Sequence, residues 1–364
     1  MTTGELCRYL EQQIPPALQE SYDNSGLQTG SYEQTVTSIL LTIDVNEEVV
    51  AEAVAKGCNL IISHHPLIFS PLKRVIGTTP VQRTLIAAIK NDISIYSAHT
   101  NLDSVYGGVS FKMASKLRLI DTEVLAPVSE KLVKLVTFIP NDHLDKVREA
   151  IFSAGAGHIG NYDSCGYQIQ GEGTFRGNDN STPFVGTRGE LHSEPEIRFE
   201  TIMPSFITGK VIKALTEAHP YEEPAFDIYP LLNKWNRAGL GCSGSLETPL
   251  DADEFLKLVK QTFAAQCLRY SGHRNQKIKK VALCGGAGIS LLKEAIASGA
   301  DAFVTGDVKY HQFADAERDL LLVDAGHYET EKFSMEIIYD LIIKKIPNFA
   351  LRFSETITNP INYY

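Results

Sequence analysis

Asn59-Leu60-Ile61-Ile62-Ser63-His64-His65-Pro66 is the stretch on which the reading of this chain turns. Its first five residues read as a short buried strand. Two histidines follow where that strand ends, and Pro66 comes next. Adjacent histidines on a regular strand would point to opposite faces. At a strand end the backbone can turn, and both imidazoles can then converge on one small volume.

Working outward, Ser38–Asp44 is a second strand of the same kind. Glu47–Lys56 has helical spacing and stops at Gly57. Pro80–Lys90 reads as a helix and Ile93–Ala98 as a strand. Strand–helix alternation with near-continuous apolar strands predicts a mostly parallel sheet covered on both faces. The last third repeats the style, with strands at Ile278–Cys284, Asp301–Thr305 and Leu320–Val323. Helices are expected at Ile289–Ser298 and, as one long amphipathic element, Glu329–Lys345.

The middle differs. Leu132–Ile139, Tyr162–Thr174, Glu196–Ile202 and Ala225–Leu231 read as strands, and Leu144–Ala154 and Thr208–Ala218 as helices. The order β-α-β-β-α-β is the ferredoxin-like motif. The expected fold is therefore α/β. Mostly parallel sheets with flanking helices form a split core domain, residues 1–129 plus 236–364, and a ferredoxin-like α+β domain is inserted at 130–235. Gly177–Pro195, rich in Gly, Ser, Thr and Pro, reads as an exposed loop within the insert.

The 364 residues suit two domains. With 43% apolar and 21% charged residues the composition is that of a globular protein. The net charge of −10 argues against a broad phosphate-backbone footprint, so direct nucleic-acid binding is not expected. No apolar run reaches membrane-spanning length, and Met1–Leu10 lacks a signal peptide's apolar core, so a cytoplasmic location is the expectation. The six cysteines are scattered without a CxxC pair and read as reduced thiols.

Chemistry gathers at strand ends. His99 and Asp103 follow the strand Ile93–Ala98. His327 follows Leu320–Val323, and Glu331, four residues on, shares its helix face. Open α/β sheets place ligands in the crevice beyond such ends. Alone, Asp103 could be a helix cap and Glu331 a surface residue. Together with His64, His65 and His327 they form an imidazole–carboxylate set suited to zinc, iron(II) or manganese, without thiolates. Five ligands suit two open sites with one carboxylate bridging. His99 is a ligand, a hydrogen-bond partner of ligands or a general base, the latter two being favoured. Gly306-Asp307 and His311 follow another strand end and are candidates to line the crevice, His311 as a proton-transfer group or ligand partner. Cys284-Gly285-Gly286-Ala287-Gly288 matches no nucleotide loop and reads as close helix–strand packing. His219-Pro220-Tyr221-Glu222-Glu223-Pro224 reads as turn chemistry.

With these motifs the chain resembles the GTP cyclohydrolase I type 2 homologues, the NGG1-interacting factor three-like proteins. The resemblance rests on Tyr22-Asp23-Asn24-Ser25-Gly26-Leu27, on 61–69 (I-I-S-H-H-P-L-I-F), on 97–103 (S-A-H-T-N-L-D), on C-G-G-A-G at 284–288, on T-G-D at 305–307 and on His327 with Glu331. It implies a dinuclear centre with His64, His65, Asp103, His327 and Glu331 as ligands, Glu331 bridging. It also implies a ring-shaped homohexamer whose sites face an inner cavity, and an insert similar to the PII and CutA folds. Tyr22 departs from the family, where many members have Trp. The function expected is a metal-dependent hydrolase of GTP cyclohydrolase type 2 kind, acting on a nucleotide or related small anion and holding two divalent ions, zinc first and iron or manganese as alternatives. The competing expectation is a non-enzymatic metal-binding or ligand-sensing hexameric assembly.

Overall fold

The structure, a computed structural model, describes residues 1–272, 277–316 and 318–364. The strands are β1 Gly26–Thr29, β2 Ile39–Thr42, β3 Leu60–Ser63, β4 Ser94–Ser97, β5 Ile120–Val128, β6 Leu132–Pro140, β7 Gly166–Phe175, β8 His192–Pro204, β9 Phe226–Leu231, β10 Trp235–Asp251, β11 Arg269–Ser271, β12 Lys277–Leu283, β13 Ala302–Thr305, β14 Leu321–Asp324 and β15 Leu351–Phe353. The fold is mixed α/β, in two compact units, Met1–Pro127 with Arg237–Tyr364, and Val128–Asn236.

The first unit holds two sheets. One runs β1-β4-β3-β2-β15 and the other β11-β14-β13-β12-β10-β5. In the first sheet β15, β2, β3 and β4 are parallel and only edge strand β1 is antiparallel. Strands β2, β3 and β4 are buried along their whole length, so alternate residues feed two cores. Ile39, Leu41, Leu60 and Ile62 pack with Leu6, Leu10, Ile338 and Ile342 on one face. Leu40, Ile61 and Ile95 pack with Val49, Val50, Leu85 and Ala88 on the other. Local chemistry sets the helix starts. Asn46 accepts the Val49 N–H ahead of Glu47–Ala55, and Thr79 accepts the Gln82 N–H ahead of Pro80–Lys90, which has proline in its first turn.

The second sheet departs from the mostly parallel expectation. Strands β12, β13 and β14 are parallel, but β11 and the long β10 join them antiparallel. Strand β10 carries Gly239, Gly241 and Gly244, which weaken any strand pattern in sequence. The glycines serve close approach: a Cβ on Gly239 would lie 2.1 Å from the Ala126 carbonyl oxygen of β5. Two expected helices are also shorter. Ile289–Ser298 becomes a 3-10 turn, Gly288–Leu291, and then a helix, Leu292–Ala297. Glu329–Lys345 is not one helix: His327–Glu331 and Ser334–Lys345 are separate. The break at Lys332–Phe333 lets Phe333 pack on Phe263 while the Lys332 ammonium donates to the Phe263 carbonyl oxygen.

The second unit is a four-stranded antiparallel sheet ordered β7-β8-β6-β9. Helices Leu144–Ser153 and Thr208–Ala218 cover one face, burying Leu135, Ile139, Phe199 and Met203 with Val147, Ile151, Val211 and Leu215. Residues 192–195, expected in a loop, begin β8 because Glu194 and His192 stay in register with Gly173 and Phe175.

Candidate metal centre

The ladder of β3 continues one step beyond Ser63. The His64 N–H donates to the Thr42 carbonyl oxygen and the His65 N–H to that of Ile43. The chain then turns at Pro66, and the two rings come to lie with centroids 5.1 Å apart. Each imidazole is tied back through Nδ1. His64 Nδ1 donates to the Ala98 carbonyl oxygen at 2.8 Å, His65 Nδ1 to Asp44 Oδ1 at 2.7 Å, and His327 Nδ1 to Asp307 Oδ2 at 2.8 Å. Nδ1 is the tied nitrogen in all three, so all three Nε2 atoms face inward, where each offers a lone pair once its ring is neutral.

Glu331, 4% exposed in its side chain, sits among them and divides its two oxygens. Oε2 lies 2.9 Å from His65 Nε2 and 3.0 Å from His327 Nε2, and these two nitrogens are 3.3 Å apart. Oε1 lies 3.7 Å from His64 Nε2, which is in turn 3.7 Å from Asp103 Oδ1. All five residues predicted as ligands are thus in one cluster at the ends of β3, β4 and β14. His64, His65 and Glu331 each offer a ligand atom within 4.8 Å of the others, so the cluster could hold a metal ion.

The electrostatics point the same way. Burial raises the Asp103 carboxyl and His64 pulls it back, leaving it at about 6. Burial also opposes the charge on Glu331, but His64, His327 and His65 outweigh it and hold the carboxyl well below its ordinary value. Burial lowers His65, whereas hydrogen bonds to Asp44 and Glu331 lift it to about 10. His327 is raised to about 9 in the same way by Glu331 and Asp307. The carboxylates therefore demand positive charge, which in the chain alone comes from imidazole protons.

The donor set fits metal better than protons. Among the described residues the buried atoms His64 Nε2 and Asp103 Oδ1 have no hydrogen-bond partner, which is costly unless something else satisfies them. Two imidazole nitrogens on one tetrahedral zinc ion, with bonds near 2.0–2.1 Å, stand about 3.3 Å apart, which is the spacing of His65 and His327. The glycine loop completes the fit. Gly286 has φ +60°, and a Cβ there would fall 2.0 Å from Glu331 Oε1. Packing, as expected for this loop, is thus packing against the central carboxylate.

His99 lies beside the cluster, its ring edge-on to those of His64 and His65 at 5.4 and 5.3 Å. Its Nδ1 is 2.7 Å from Asp23 Oδ1, and the other Asp23 oxygen accepts from the Thr100 N–H and hydroxyl. Exposed His311, in the helix Tyr310–Ala316, has its ring edge-on to Tyr310 and makes no hydrogen bond or ion pair to the five. Two partners escaped the sequence reading. Asp44 ends its own strand run and could have been found by the strand-end rule applied to His64. Asp23 stands within the quoted motif at 22–27, ahead of β1 rather than after a strand, so the strand-end rule did not mark it. A cavity of about 680 Å³ opens beside His65 and His327, reached also by Tyr328, Asn359 and Tyr363.

A mixed α/β fold with an imidazole–carboxylate cluster at its strand ends defines a class: a protein with a possible metal site. Comparison with known proteins narrows it. The profile of the Duf34/NIF3 (NGG1p interacting factor 3) family matches residues 1–360, and the chain belongs to that family. A Halalkalibacterium halodurans protein named GTP cyclohydrolase 1 type 2 homolog is 44% identical over 319 residues, 87% of this chain and 86% of that one. A Bacillus subtilis protein of the same name is 37% identical over 369 residues, 99% and 98% of the two chains. The crystal structure of a Bacillus cereus protein related to NIF3 matches with a TM-score of 0.87 at 39% identity, covering 100% of this chain and 99% of that one. Among the described residues no helix is long and apolar enough to cross a membrane.

Proposed function

We propose that the chain is a metal-dependent hydrolase acting on a nucleotide or related small anion, with two divalent ions held by His64, His65, Asp103, His327 and Glu331. The observation that carries this reading is the division of Glu331. One oxygen faces His65 and His327 and the other faces His64, whose free nitrogen also faces Asp103. This supports two neighbouring sites sharing one carboxylate, and the name of the curated relatives supports the substrate class. Divalent ions bound there would supply Lewis-acid polarisation of the substrate and activation of water. Zinc suits the nitrogen–oxygen donors, and iron(II) or manganese is the alternative.

The chain's own residues supply the rest. Asp44, Asp307 and the Ala98 carbonyl oxygen keep three rings oriented with Nε2 forward. His99, backed by Asp23, is the group placed to move a proton at the cluster's edge. Phe69, edge-on to His99 at 6.3 Å, and Tyr22 against Phe69 form an apolar flank. The neighbouring cavity carries Asp44, Asp307, Asp324 and Glu329 with one guanidinium, Arg269, already paired with Asp324. Attraction for an anion there must come from the ions.

The same reading takes residues 130–235 as a ferredoxin-like, PII/CutA-like insert, which the antiparallel order β7-β8-β6-β9 supports. It takes the chain as a cytoplasmic, ring-shaped homohexamer, for which light scattering should give about six times 40.1 kDa. The decisive experiment is elemental analysis of protein purified without chelators, followed by a nucleotide panel with wild type and His65→Ala. Two equivalents of metal and turnover lost in the variant are expected. Identical background turnover from both proteins would sink the hydrolase reading, and one equivalent or fewer of metal would sink the dinuclear one.

A further inference from the structure

The face of the second unit's sheet away from its helices holds a separate cavity of about 590 Å³. Even-numbered residues of β8 point there, because Phe199 and Met203 pack with the helix residues and strand side chains alternate. Opposite them β7 presents bare backbone at Gly171 and Gly173, in register with Glu196 and Glu194. The gap has a use. A Cβ on Gly173 would lie 2.1 Å from Glu196 Oε2, so the Glu196 carboxylate occupies the space the glycine leaves.

Glu196 is 8% exposed. One carboxylate oxygen accepts from the Tyr221 hydroxyl at 2.9 Å, and among the described residues the carboxylate has no cationic partner. Arg198, the nearest guanidinium on the strand, is bonded to Glu200 at 2.8 Å. A carboxylate so placed is costly without a counter-charge. Aromatic rings line the same cavity. Phe175 and Phe184 lie 5.8 and 6.2 Å from the Tyr221 ring, at tilted angles. Tyr221 is itself held: its N–H donates to His219 Nδ1 at 3.1 Å, and His219 Nε2 donates to the Phe138 carbonyl oxygen at 2.9 Å. The dense turn at 219–224 is therefore a bracket that aims a phenol at a buried acid. The lining carries Glu172, Glu196, Glu222 and Glu223 against Arg176 and Arg198.

We propose that this cavity is a binding site for a small organic cation, an amine or guanidinium on a compact carbon skeleton, with Glu196 as counter-charge and Phe175, Phe184 and Tyr221 as its aromatic walls. Rings present their negative faces to a cation, and a buried carboxylate completes the pairing. The site is independent of the metal cluster and makes the second unit a sensing module.

The test uses the full chain and two probes of one shape, benzylamine and benzyl alcohol, followed by ligand-observed saturation-transfer NMR and by shifts of labelled tyrosine and phenylalanine rings. Benzylamine should bind and benzyl alcohol should bind at least tenfold more weakly. Glu196→Gln, which keeps an acceptor for the Tyr221 hydroxyl and removes only charge, should abolish that preference. Phe184→Ala, on an exposed loop and without risk to the core, should weaken benzylamine about as much. Equal binding of the two probes, an unchanged preference in Glu196→Gln, or ring shifts confined to residues outside the cavity would overturn the proposal.

Discussion

Replacing Gly286 by alanine isolates what the glycine loop does for the cluster. The new Cβ would start 2.0 Å from Glu331 Oε1, whereas real Cβ contacts stay beyond 3.0 Å, so a shift of at least the difference is forced. The backbone has little freedom to supply it. The Gly286 N–H donates to Thr330 Oγ1 at 3.0 Å, and its carbonyl oxygen accepts from Gly306 N–H at 2.8 Å. The carboxylate must therefore move, against three imidazoles that hold it. Two costs separate. A positive φ at alanine costs roughly 1–2 kcal/mol of stability. The displaced carboxylate should lower metal affinity by about 10- to 100-fold, the scale on which disturbing ligand geometry acts. Gly299→Ala is the control, because Gly299 has φ +74° with nothing within 4 Å of the added Cβ. Thermal melts should show similar losses in both variants, while zinc competition against a chromophoric chelator should show weakening only in Gly286→Ala. Wild-type metal affinity in Gly286→Ala would refute the view that the loop shapes the central carboxylate.

Asp44→Asn should weaken metal binding by about 10-fold or more without unfolding the chain, since it loosens His65 through Nδ1 only; chelator competition with a melting curve measures both. Glu52 ties down the C-terminal segment by accepting from the Glu355 and Thr356 N–H groups and the Ser354 and Thr356 hydroxyls. Burial opposes its charge, but these donors and Lys56 bring its carboxyl from 4.5 to about 2. Its contribution is thus whole above pH 4.5 and lost as pH falls toward 2, so hydrogen exchange at 354–356 should accelerate across that window in wild type and at all pH values in Glu52→Gln. His219 titrates in the other direction of charge. Burial lowers its pKa below 6.5 despite the Phe138 carbonyl oxygen, so the neutral ring is the folded form. The unfolded chain takes the proton first, so stability of the second unit should fall as pH drops below 6.5. Urea melts of wild type should show this slope, and His219→Gln should lose it.

Much of the site was legible because strand ends are local events. The apolar runs before His64, His99 and His327 are readable without neighbours, and a parallel sheet brings their ends to one edge. The partners of those rings were less legible. Asp44 and Asp307 matter through single hydrogen bonds between segments 21 and 20 residues apart, and Asp23 reaches His99 across 76. No periodicity encodes such pairs. Strand β10 was hidden for another reason: its glycines carry no apolar signal, and their value lies in how closely β5 approaches. The helix break at Lys332–Phe333 was hidden too, since the amphipathic pattern runs through it and only packing on Phe263 shows the interruption.

By itself the sequence carried most of the strand and helix signals and named the five residues that gather in the candidate cluster, because hydrophobic period and residue type act over a few neighbours. Only the tertiary structure decided that Glu331 turns one oxygen to His65 and His327 and the other to His64, that Gly286 gives it room, and that Glu196, bonded to the Tyr221 hydroxyl, has no cationic partner among the described residues. Those are facts of distance between remote segments, set by how the sheets pack rather than by any spacing along the chain.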